Sequence, residues 1–164
     1  MNIVLCGMMG CGKTSVAKEL EKLGFVCVDT DELIVGRYGN INDIFKEHGE
    51  EYFREIEAEI TKEVAEKYSD AVISLGGGCV LRAENVKNLK AAGRIFYLRA
   101  KADTIIKRLK GDSTRPLLQG GLEEKVNSIL AVRSGIYEGV ADFIIDTDDK
   151  NCEQIAQLIR NKNL

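Results

Sequence analysis

Residues Ile3-Val4-Leu5-Cys6-Gly7-Met8-Met9-Gly10-Cys11-Gly12-Lys13-Thr14 run from an apolar stretch straight into a glycine-rich turn. A helical pattern begins at about residue 12, where the turn ends. Gly7 to Thr14 fits G-x-x-x-x-G-K-[ST], the P-loop pattern, in the context it requires: after a strand and at the start of a helix. Glycines let the backbone wrap closely, so that successive N–H groups point at phosphate oxygens. The positive end of the following helix dipole adds to the same place. In this reading Lys13 reaches the β- and γ-phosphates, Thr14 offers a hydroxyl to Mg²⁺, and Ser15 bonds a further phosphate oxygen. A glycine-rich turn without a ligand is the plain alternative. Cys11, inside the loop, reads as an inert small residue.

Outward from this stretch the same alternation repeats. Phe25-Val26-Cys27-Val28, Val72-Ile73-Ser74-Leu75, Ile95-Phe96-Tyr97-Leu98 and Phe143-Ile144-Ile145 are short apolar runs with little polar alternation. Strands of a parallel sheet covered on both faces read in this way. Helical patterns lie between them, near residues 12–23, 30–38, 49–68, 83–91, 101–110, 122–138 and 151–162. The expectation is an α/β chain of three layers, α/β/α, with five parallel strands. In the helix near 49–68, Phe53, Ile56, Ile60 and Val64 face the core, with Arg54, Glu57 and Thr61 at the rim of that face. Residues 111–121, bounded by glycines and holding the single proline of the chain, read as a mobile lid between two helices.

Composition narrows the class. The 164 residues are 45% hydrophobic and 30% charged, which suits a single globular domain over residues 1–164. Lys and Arg number 23 and Asp and Glu 26, for a net charge of −3. A nucleic-acid binder is normally basic, so any anionic ligand must be gripped by local cations. Five cysteines, no C-x-x-C pair and one histidine, His48, argue against a zinc site and for reduced thiols in a cytoplasmic protein. The N-terminal run is too short for a signal peptide, and no stretch approaches a membrane span.

Several other residues narrow the acceptor. Asp29-Thr30-Asp31 ends the second strand, where ligands of doubly wound sheets bind. One aspartate there can order Mg²⁺ waters and the other hold an acceptor hydroxyl. Equally, Thr30 or Asp31 suits an N-cap for a helix starting near Glu32. Gly76-Gly77-Gly78 ends the third strand and reads either as a turn that admits close backbone approach or as a plain flexible one. Arg54 and Arg133, on different helices, can each fork a carboxylate, although most single arginines are solvated surface charges. Arg108 and Arg115 flank or occupy the lid, where they can neutralise a transferring phosphoryl group.

Gly7 to Thr14, Asp29-Thr30-Asp31, Phe53-Arg54-x-x-Glu57, Gly76-Gly77-Gly78, Arg115-Pro116-Leu117-Leu118 and Arg133-x-x-x-Tyr137 occur in that order. Taken together they resemble shikimate kinase, within the nucleoside-monophosphate-kinase-like P-loop group, from the first strand to about Thr147. The resemblance implies transfer of the ATP γ-phosphate to the 3-hydroxyl of shikimate, in aromatic amino acid biosynthesis. It implies Gly10, Cys11, Gly12, Lys13, Thr14 and Ser15 on ATP, with Arg108 against adenine and Arg115 closing over the phosphates. It places Asp31 on the acceptor hydroxyl and as a base, and Asp29 and Thr14 at Mg²⁺, Asp29 through water. Shikimate falls to Arg54, Arg133 and the Gly76, Gly77 and Gly78 backbone, with the shikimate-binding helices at about 30–68. The catalytic set is Lys13, Asp31 and Arg115, and the protein is expected to be a monomer. One departure is Asp148-Asp149-Lys150, where some members carry arginines that touch adenine. Two competing readings are a kinase for gluconate or a nucleoside monophosphate, and a nucleotide-binding switch that transfers nothing.

Overall fold

A computed structural model describes residues 1–111 and 121–164. Residues 112–120 of the expected lid, Arg115 among them, lie outside the described residues. Five parallel strands form one sheet in the order β2-β3-β1-β4-β5: β1 (Asn2–Cys6), β2 (Val26–Asp29), β3 (Ala71–Ser74), β4 (Gly93–Arg99) and β5 (Phe143–Asp146). The helices are α1 (Lys13–Lys22), α2 (Thr30–Tyr38), α3 (Ile41–His48), α4 (Glu50–Lys67), α5 (Ala83–Ala92), α6 (Ala102–Lys110), α7 (Leu122–Val140) and α8 (Cys152–Asn163). All five residues of β1 and all four of β3 are buried. Side chains alternate between the faces of a strand, so burial at every position means that helices cover both faces. The expected three-layer arrangement is the observed one.

The strand order places β1 at the centre, with successive connections running to either side of it. The P-loop and the turns after β2 and β3 therefore gather at one edge, the carboxyl ends of the strands, where open α/β sheets form their crevice. The buried amide of Asn2 is satisfied on both sides, donating to the Tyr68 carbonyl and accepting from the Ala71 N–H.

Helix α3 has no counterpart in the sequence expectations. It is one short amphipathic turn-pair with Asn40 as N-cap, accepting from the N–H groups of Asn42 and Asp43, and it stops at Gly49, whose φ is +87°. Its apolar residues, Ile41, Ile44 and Phe45, span a little over one turn, too few to establish a period. A second difference concerns α2. Its N-cap is Asp29, whose Oδ1 accepts from the N–H groups of Asp31 and Glu32 at 2.9 and 3.1 Å, and the helix starts at Thr30. Neither Thr30 nor Asp31 is the cap, because Asp29 still has the extended backbone that a cap needs. A third concerns α4. Glu57 and Thr61 are not rim residues but fully buried, since that flank of the helix packs on the turn carrying Cys79, to which the Thr61 hydroxyl is hydrogen-bonded at 3.3 Å.

Gly93 pairs with Asn2 in the β1–β4 ladder, and a methyl group there would collide with the Asn2 backbone carbonyl. Backbone cannot swing aside as a side chain does. Gly93→Ala is expected to lower stability by about 1–3 kcal/mol, read as a lower urea midpoint with an unchanged slope.

Candidate active site

The phosphate cradle is built from backbone that only glycine adopts freely. Gly7, Gly10 and Gly12 have φ of +143°, +81° and +101°. At Gly7 a Cβ would also stand 2.8 Å from Cys11 Sγ and 2.9 Å from the Leu98 carbonyl oxygen. Gly12 is the N-cap of α1 and supplies no side-chain oxygen, so the first-turn amides of α1 are left to an external anion. Cys11 is buried and packs beneath the loop, in keeping with a small structural residue. Lys13 Nζ donates to the carbonyls of Gly7 at 2.6 Å and Met8 at 3.3 Å, which holds a fixed positive charge at the mouth of the loop. Thr14 and Ser15 are exposed on the first turn of α1. Arg108 reaches back from α6 and donates to the Gly10 carbonyl at 3.0 Å, so its guanidinium lies over the loop itself.

These groups open onto a cavity of about 500 Å³ lined also by Asp29, Asp31, Gly76 and Gly77. A second cavity, of about 620 Å³, is lined by Ile41, Phe45, Phe53, Arg54, Glu57, Gly78 and Arg133. The two share Met9, Asp31, Gly76 and Gly77. One chamber is therefore walled by phosphate-binding backbone, the other by arginines and aromatic rings, and Asp31 stands where they meet. Arg54 and Arg133 come together here with Asp31 and the triple glycine, as the sequence pattern implies. Phe45 and its neighbours on α3 are wall residues that sequence reasoning missed along with their helix.

The triple-glycine turn explains why the site is possible. A Cβ on Gly76 would sit 2.7 Å from Asp31 Oδ1, one on Gly77 3.5 Å from Arg133 Nη1, and one on Gly78 2.5 Å from Arg54 Nη2. Each of the three faces a different expected site residue, so the turn is a platform for close approach rather than a plain flexible turn. Thr30, wholly buried, ties this platform to α2: its hydroxyl accepts from the Gly76 N–H at 3.3 Å and donates to the Ser74 carbonyl at 3.4 Å.

Charge around the second chamber runs from the buried Glu57 to the exposed Glu50. Arg54 Nη1 donates to Glu57 Oε1 at 2.8 Å and Nη2 to Glu50 Oε1 at 3.4 Å. Burial pushes the Glu57 carboxyl above the usual carboxylate range, and the Arg54 guanidinium offsets only part of that. Three cations, Lys46, Arg54 and Arg133, and three acids, Asp31, Glu50 and Glu57, line this chamber, so its attraction for an anion comes from where the guanidinium groups are held rather than from a surplus of positive charge. The sequence held a signal for Glu57, its i+3 spacing from Arg54.

The residues that could hold a metal are few. Among the described residues no group of three or more His, Cys, Asp and Glu side chains forms a cage. Asp29 commits Oδ1 to the α2 cap and keeps Oδ2 outside it. Together with the Thr14 hydroxyl this is an all-oxygen set of low number, which fits a hard cation that stays largely bound to phosphate and water. Beyond the crevice, Asp148 accepts from the Lys101 N–H and the Thr104 hydroxyl, tying the turn after β5 to the start of α6. No described helix is long and apolar enough to cross a membrane.

The family model described as shikimate kinase matches residues 9–163. The chain is 48% identical to the shikimate kinase of Thermodesulfovibrio yellowstonii, over 96% of this chain and 92% of that one. It is 45% identical to that of Caldicellulosiruptor bescii, with the same coverage of 96% and 92%. Among solved structures, the shikimate kinase from Acinetobacter baumannii in complex with shikimate superposes with a TM-score of 0.90 at 35% identity, covering 98% of this chain and 91% of that one. Sequence relatives and structural neighbours thus agree along nearly the full length, and this chain belongs to the shikimate kinase family.

Proposed function

We propose that the protein transfers the γ-phosphate of ATP to the 3-hydroxyl of shikimate, giving shikimate 3-phosphate for aromatic amino acid biosynthesis. The observation that carries this reading is the meeting of the two chambers at Asp31. A nucleotide tail in the first and a hydroxylated acid in the second face each other across one carboxylate.

In this mechanism the amides of Gly10 and Gly12, with Lys13 and Ser15, hold the β- and γ-phosphates, while the Cys11 N–H donates to the Met8 carbonyl at 3.1 Å and closes the loop. Arg54 and Arg133 grip the shikimate carboxylate, and the Gly76–Gly78 backbone supports the ring. Asp31 accepts a hydrogen bond from the 3-hydroxyl and takes up its proton as the oxygen attacks phosphorus. Thr14 and, through water, Asp29 would hold Mg²⁺, which would supply charge neutralisation at the phosphates. Most of the acceleration in such a site comes from in-line positioning and charge stabilisation rather than covalent chemistry. Glu57 is a positioning residue, since it orients Arg54 without lining the reacting atoms. Arg108, over the P-loop carbonyl of Gly10, is placed to meet phosphate as readily as adenine. Arg115, outside the described residues, is assigned by its sequence context to closing over the transferred phosphoryl group.

Steady-state ADP release with an acceptor panel tests the reading. Shikimate is expected to support turnover well above that with gluconate or nucleoside monophosphates, and equal rates with either would replace it. Asp31→Asn is expected to lose transfer while calorimetry still shows ATP binding. Glu57→Gln keeps the shape of the side chain and removes its charge, so KM for shikimate should rise about tenfold or more while KM for ATP holds. Arg115→Ala should lower kcat by about 10³-fold or more, the scale of arginines that stabilise a transferring phosphoryl group. An unaltered kcat would take Arg115 out of the mechanism.

A further inference from the structure

Tyr137 lies on α7 one turn beyond Arg133 and is wholly buried, so it lines neither chamber. Its ring packs on Tyr97, with centroids 5.0 Å apart. Packing alone would be served by phenylalanine. The hydroxyl instead donates to the Gly77 carbonyl at 2.5 Å, a contact bridging 60 residues of sequence. Burial pushes the phenol up to about 12, so it stays a donor at any working pH. The same hydroxyl and Arg133 Nη1 converge on Gly77, at 3.6 and 3.5 Å from where its Cβ would be.

We infer that the Tyr137 hydroxyl is a positioning group for the acceptor, fixing the Gly77–Gly78 peptide plane and the seat of Arg133. In a trans peptide the C=O of one residue and the N–H of the next point in opposite directions. Drawing the Gly77 carbonyl towards α7 turns the Gly78 N–H away from α7. That amide has no hydrogen-bond partner among the described residues, and Gly78 lines the second chamber. Thr30 restrains the Leu75–Gly76 peptide from the α2 side, and Tyr137 restrains the Gly77–Gly78 peptide, two along, from the α7 side. Glycine backbone has the widest conformational freedom of any residue. Without the second restraint the platform samples other orientations, and the acceptor must select the productive one at a cost in affinity.

The inference rests on the shikimate reading, and its test separates the two. Wild-type turnover with shikimate is measured first; absence of turnover overturns the reading itself. Given turnover, Tyr137→Phe removes one oxygen and keeps the ring. Its KM for shikimate is expected to rise about tenfold, the scale of one lost hydrogen bond, with KM for ATP within twofold. Placing para-aminophenylalanine at position 137 returns an N–H donor to the same spot and should recover most of the affinity. A lowered melting temperature with KM for shikimate unchanged would make the hydroxyl merely structural and overturn the inference, as would equal rises in both KM values. A measurement on the wild type stands apart from whether the variant folds. With ¹⁵N-glycine labelling, the Gly78 amide resonance should shift on adding shikimate without nucleotide, and an unmoved resonance would overturn the inference.

Discussion

Three side chains from three different helices reach one crevice because Gly76, Gly77 and Gly78 carry none. Any Cβ at Gly76 or Gly78 would stand under 3 Å from the carboxylate of Asp31 or the guanidinium of Arg54. The turn therefore acts as a floor over which Asp31, Arg54 and Arg133 gather. Asp31 and the arginines would otherwise have to be held apart by the bulk of the chain between them. The sheet supplies this floor at the right height, since β3 ends beside β1 and β1 runs directly into the P-loop.

That arrangement also reconciles an acidic protein with two anionic ligands. The net charge of −3 gives no long-range attraction for a nucleotide or a carboxylate. In the proposed mechanism the attraction is local and comes from Lys13 over the P-loop carbonyls, from Arg108 at the same loop, and from Arg54 and Arg133 in the second chamber. Glu57 neutralises part of that charge. Its burial means that Arg54 is oriented by a carboxylate with little solvent to compete for it. A guanidinium held in one geometry loses less entropy on meeting a planar acid than a free one does.

Much of this was legible in the residues alone. The P-loop is a local device: its glycines, its lysine and the first residues of the helix that follows lie within eight positions, and all the needed φ values belong to that stretch. The central strands were legible because burial on both faces leaves continuous apolar runs; the edge strands β2 and β5 are only partly buried but keep such runs, and each observed strand overlaps one of them. Helix α3 was not, since eight residues offer too little period and its stability comes from packing on α4. The cap of α2 was misplaced by one or two residues, because Asp29, Thr30 and Asp31 are all good caps and backbone geometry selects between them. Glu57 looked like a rim residue because helical spacing fixes an angle round the axis, not what lies opposite it.

By itself the sequence determined the class of fold, the phosphate cradle and the identity of the charged groups, since each is set by residues close together in the chain or by an unbroken apolar pattern. That Asp31, Arg54 and Arg133 share one crevice was implied by the resemblance; only the tertiary structure decided which groups face each of the three glycines, and that Tyr137 touches a glycine turn sixty residues away. Contacts between distant segments depend on strand order and helix packing, which are properties of the whole core and have no signature in any single stretch.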